Sequence, residues 1–90
     1  MLPGSTFEDN EIDIRAALGG RNAHSVLITV LSNQDIRVVF NDVNVYPSRL
    51  IQGLSSFRVV KEDDQLEVEK IYFDNSVSGA VNAVIHIWAS

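Results

Sequence analysis

Cysteine is absent from the ninety residues. That excludes disulfide staples, thiolate nucleophiles and cysteine-held metal. It leaves the compartment open, because many secreted domains also lack cysteine. Basic residues are few, seven against twelve acidic ones, for a net charge of −5. They stand singly as Arg15, Arg21, Arg37, Arg49, Arg58, Lys61 and Lys70. Phosphate backbones and anionic lipid are bound by clusters of Lys and Arg. Neither nucleic acid nor a membrane is therefore an expected partner. The acidity reads as simple solubility, with a basic partner as the alternative.

No apolar run approaches the roughly 20 residues needed to span a bilayer. The opening Met1-Leu2-Pro3-Gly4-Ser5 has neither the basic residue nor the apolar stretch of a signal peptide. No Asn-x-Ser/Thr acceptor occurs. A cytoplasmic or virion setting is the expectation. Histidine occurs twice, as His24 and His86, short of the three or four ligands that zinc takes. No serine sits in a G-x-S-x-G context, and no Ser-His-acid set is evident. No catalytic residue, cofactor or metal is assigned, and an enzyme is the least expected class.

What is present is β-forming sequence. Residues 25–46 are the densest stretch, with Val26-Leu27-Ile28-Thr29-Val30-Leu31 followed by Ile36-Arg37-Val38-Val39-Phe40. Branched side chains suit a pleated surface and crowd a helix. Residues 26–31 are apolar on both faces apart from Thr29, the pattern of a central strand covered on both sides. Residues 32–35 form a turn. Asn41-Asp42 reads as a two-residue turn, or as a bulge in one strand over 36–46. Val43 and Val45 continue the apolar face beyond it.

Before this stretch, residues 1–7 read as a loose arm without a packed role, leaving 8–90 as one domain. Residues 11–15 alternate polar and apolar, and their acidic face predicts a sheet edge. Ala16-Ala17-Leu18 starts a helical turn that Gly19-Gly20 ends. A helix over 9–19 is the competing reading. After it, Pro47 stops pairing, and 48–52 make one helical turn closed by Gly53. Residues 57–61 and 66–73 read as a hairpin around a polar loop, with an alternation slip at Lys70-Ile71 that suggests a bulge or a change of sheet. Residues 74–79 turn into a last strand at 80–89.

Six or seven short strands with little helix predict an all-β fold, a small antiparallel sandwich or barrel. The alternative is α+β with an N-terminal helix. The last strand carries Val81, Ala83, Ile85 and Ile87 on one face, and Asn82, Val84, His86 and Trp88 on the other. Asn82, His86 and Trp88 are the candidate binding residues, since a Trp beside His and Asn stacks on a sugar or anchors a protein. Against this, a Trp is usually mostly buried, and Trp88 capping the core is the preferred structural role. Asp9, Glu11 and Asp13 at alternate positions form one acidic strand face, read as a solvated edge rather than a calcium site. Glu62, Asp63 and Asp64 read as charge at a hairpin tip. Residues 80–90 carry no charged side chain, so the last strand is expected either to be central or to pair across an interface.

The expected function is a non-enzymatic protein–protein interaction or assembly module, small structural, inhibitory or adaptor in kind. Its partner is another protein or a second copy. A carbohydrate-binding sandwich using Trp88 with Tyr46 or Tyr72 is the alternative.

Overall fold

The computed structural model describes residues 1, 4–64, 67–76 and 82–90, with main chain only at 63–64. Among the described residues seven strands form two antiparallel sheets, an all-β sandwich as expected. In chain order they are β1 (Glu11–Asp13), β2 (Ser25–Val30), β3 (Ile36–Phe40), β4 (Arg49–Ile51), β5 (Ser56–Val60), β6 (Lys70–Asp74) and β7 (Ile85–Ala89). A 3₁₀ turn spans Phe7–Asp9, and single helical turns span α1 (Ile14–Ala17) and α2 (Lys61–Asp64). One sheet has the order β1-β6-β3-β4 and the other β5-β2-β7.

The inward side chains follow the two-residue period of a strand. Val26, Ile28 and Val30 of β2 meet Ile36, Val38 and Phe40 of β3 and Ile71 and Phe73 of β6 in one buried cluster. Phe40 and Phe57 stack with centroids 6.2 Å apart, joining β3 to β5 across the layers. Arg49 of β4 lies 5.3 Å from the centroid of the Phe57 ring. The β4 and β5 edges thus share one side of the sandwich, which puts β1 and β7 at the other.

β1 is an edge strand, as its acidic face predicts. The helix over 9–19 does not form. Asp13 caps α1 by accepting from the Ala16 N–H at 3.0 Å, and Gly19 and Gly20 end it at φ of 73° and 98°. β2 is central, but it is covered on one face only, since Leu27 and Leu31 are exposed. Its outward apolar residues face solvent because the sandwich has two layers, not three.

Residues 43–45 are turn and not strand. Asn41 adopts φ 67°, and its side chain binds the Glu67 carbonyl and the Glu69 N–H, so the chain leaves the sheet there. The helical turn expected at 48–52 is instead strand β4, paired with β3 as Arg37↔Leu50. The hairpin expected from 57–73 does not form either. β5 pairs with β2, and β6 lies in the other sheet between β1 and β3. Lys70 and Ile71, where a bulge or change of sheet was expected, lie together in β6, and the chain changes sheets before them, between β5 and β6, with the polar run forming the turn α2. The last strand begins only at Ile85; residues 80–81 of the expected strand and 77–79 of the expected turn lie outside the described residues.

A packed role also appears in the first seven residues. The Met1 nitrogen donates to the Ala83 carbonyl at 2.6 Å and the Ala83 N–H to the Met1 carbonyl at 2.9 Å. The Gly4 N–H donates to Asn75 and the Asn75 N–H to Ser5. Met1 packs on the core.

Candidate functional site

The outer face of the β5-β2-β7 sheet is the candidate site. Two registers build it. Leu27 lies opposite Arg58 on one side and Trp88 on the other. One row along, Thr29 lies between Ser56 and His86, with Thr29 Oγ1 and Ser56 Oγ 3.1 Å apart. The next row is apolar. The Leu31 N–H donates to the Val84 carbonyl, and bonds from Val30 to Ser55 and from Leu54 to Ser32 bracket Leu54 opposite Leu31. Leu54 is held at φ 60°, an unusual conformation for a branched side chain.

Exposure is high along these rows: Trp88 67%, Leu54 67%, Leu31 56%, Val84 53% and Leu27 38%. Trp88 therefore does not cap the core. It points outward because Ile85, Ile87 and Ala89 already fill the inward positions of β7. A depression of about 340 Å³ lies beside it, lined by Ser25, Leu27, Arg58, Trp88 and Ser90. The described outer face of β2, β5 and β7 carries no Asp or Glu, although the chain has twelve acidic residues.

Of the residues predicted to bind, His86 and Trp88 lie on this face two positions apart. Asn82 is exposed but precedes β7 and is not in its ladder. Tyr46 and Tyr72 do not join them, since Tyr72 is on β6 of the other sheet and Tyr46 follows β3. The sequence reading omitted Leu27 and Arg58 as site residues. The alternation of β2, which sets Leu27 apart from Val26 and Ile28, was the available signal.

The acidic cluster of the N-terminal stretch is dispersed. Asp9 accepts from the Thr6 N–H and hydroxyl, Glu11 pairs with Lys70 at 3.0 Å, and Asp13 caps α1. Among the described residues no three His, Asp or Glu side chains converge on a metal-sized site.

A second depression is lined by Arg15, Gly20, Arg21, Asn22, His24 and Glu67. Glu67 is its hub, 2.7 Å from Lys61 Nζ and 3.3 Å from His24 Nε2. The hydrogen bond from Lys61, helped by one from Asn22, holds the Glu67 carboxyl below its usual range. The same bond raises Lys61 above its ordinary value. With Glu67 held by Lys61 and Asn22 and close to His24, this cluster reads as a structural tie between the start of β2 and the segment leading into β6.

No protein-family model, curated protein or solved structure matches the chain. Among the described residues no helix is long and apolar enough to cross a membrane.

Proposed function

We propose that the protein is a non-enzymatic protein-interaction module whose contact face is the outer face of the β5-β2-β7 sheet. The observation that carries this reading is the pairing of exposure with composition. Leu27, Trp88, Leu31 and Val84 stand exposed in neighbouring rows, and the face that holds them lacks the acidic residues abundant elsewhere. Contact patches on proteins combine an apolar centre with few charges, and Trp and Arg are their commonest anchors. Thr29, Ser56 and His86 supply polar groups between the apolar rows.

The test uses the chain's single tryptophan. A photo-cross-linking residue placed at Leu27 should capture a protein from an extract of the source organism. A control at Leu50, exposed on the other sheet, should not. Trp88→Ser should weaken that capture by about 2 kcal/mol or more if Trp88 is an anchor. Capture that is equal at Leu50 and indifferent to Trp88→Ser contradicts the reading.

A second reading has one specific observation in its favour. Trp88 borders a depression that also holds Arg58, Ser25 and Ser90, the mix of a flat ring and hydroxyls that suits a sugar. Glycan-array binding lost on Trp88→Ser would favour it.

A further inference from the structure

On the described outer face of β2, β5 and β7, Arg58 is the one permanently charged side chain. It is exposed, mid-strand in β5 and opposite Leu27. Other cations of the chain have partners within it. Lys61 pairs with Glu67 and Lys70 with Glu11. Arg15 donates to the Gly20 carbonyl, and Arg49 lies over the Phe57 ring. Arg58 has no ion pair, side-chain hydrogen bond or ring contact among the described residues.

Its neighbours on the face do not balance it. Along β5 it stands between Ser56 and Val60, and across β2 lie Leu27 and then Trp88. The Thr29 and Ser56 hydroxyls, 3.1 Å apart, bond to each other. The Ser90 carbonyl accepts from the His24 and Ser25 N–H groups. A guanidinium and an indole N–H only donate. The centre of the face therefore presents two donor groups, Arg58 and Trp88, on either side of an apolar Leu27, and no carboxylate side chain.

We propose that the outer face takes a segment of another protein that carries one carboxylate among apolar side chains, with the carboxylate seated on Arg58. This names the partner chemistry for the protein-interaction reading and rests on it. Leu27, Arg58 and Trp88 border the same depression, so a partner that covers Leu27 also strips water from the guanidinium. A cation desolvated without a counter-charge is costly. The face holds no such counter-charge, so the partner supplies it. The planar fork of an arginine matches the two oxygens of a carboxylate. Apolar side chains beside that carboxylate lie on Leu27 and the Trp88 ring. A run of acidic residues does not fit, because the chain as a whole carries −5 and repels it.

The probe is a phage-displayed library of random peptides selected on the full chain, with recovered peptides synthesised and their affinity read by titration calorimetry. The recovered peptides should carry one Asp or Glu beside aliphatic or aromatic residues, and their binding should be lost on Trp88→Ser. Replacing the acid by its amide should weaken binding about tenfold or more. Arg58→Met should do the same and keep its melting temperature, since the side chain is exposed and unpaired. Arg58→Glu should instead accept the peptide in which Lys replaces the acid, a reversal that a merely structural role of Arg58 does not produce. Peptides that need Trp88 but bind as well without the acid, or as well to Arg58→Met, overturn the carboxylate pairing and leave the outer face standing. Recovered peptides indifferent to both residues, or no recovered peptide, overturn the proposal together with the outer face.

Discussion

Leu27 and Ile28 are neighbours in sequence and opposites in surroundings. Ile28 is fully buried between the sheets, whereas Leu27 stands on the outer face. Ile28→Ala should cost roughly 2–5 kcal/mol in urea unfolding, because it leaves a cavity. Leu27→Ala should cost less than about 1 kcal/mol, because solvent already reaches the site. Equal losses would mean that the faces of β2 are assigned the wrong way round. Glu67 offers a second test at this scale. Its carboxyl is held below its usual range, chiefly by Lys61. A depressed carboxylate stabilises the fold above its unfolded pKa, and that contribution goes as pH falls through the folded value. Glu67→Gln should therefore flatten the acid limb of a stability–pH curve, with the difference from the parent vanishing below the carboxylate range. An unchanged acid limb would show that the Lys61–Glu67 contact does not persist in solution.

At the scale of elements, Gly53 shows how a turn is fitted to its neighbour. A Cβ there would stand 2.5 Å from the Gln34 nitrogen and 2.9 Å from the Ser32 carbonyl oxygen. The Gly53 N–H donates to Asp35 Oδ1 at 2.9 Å. Gly53→Ala must push the 32–35 loop off β4 and should cost about 1–3 kcal/mol by thermal unfolding; an unchanged midpoint would contradict the close approach. Much about the elements was legible beforehand. The alternation in β3 and β7 named the inward residues, the acidic face of β1 marked an edge, and Gly19-Gly20 marked the end of α1. Two elements were not legible, for physical reasons. Arg49-Leu50-Ile51 lies between Pro47 and Gly53, too short a segment to show a period, so strand and helical turn look alike. The partners of β5 and β6 were misjudged because alternation fixes which face a residue takes and says nothing about which strand lies beside it. The left-handed Asn41, whose side chain ties down Glu67 and Glu69, decides the route, and nothing local distinguishes it from an ordinary turn Asn.

For the whole molecule, three strands packed on four is the arrangement from which the proposed contact face follows. It exposes the outer face of β2 through Leu27 and Leu31, and among the described residues β7 pairs with no strand but β2. The site was half legible on the same grounds: the period put His86 and Trp88 on one face, while the depth of that face depended on the number of layers, which no single strand encodes. The central claim is that β7 is an edge paired to β2 alone, in the register Leu27↔Trp88. Amide hydrogen exchange along residues 84–90 of the isolated chain measures this most directly. The account predicts alternation, with the amides of His86 and Trp88 protected by β2 and those of Ile85, Ile87 and Ala89 exchanging fast. Uniform protection of all five would place β7 inside a sheet, and uniform fast exchange would detach it from β2; either result contradicts the account.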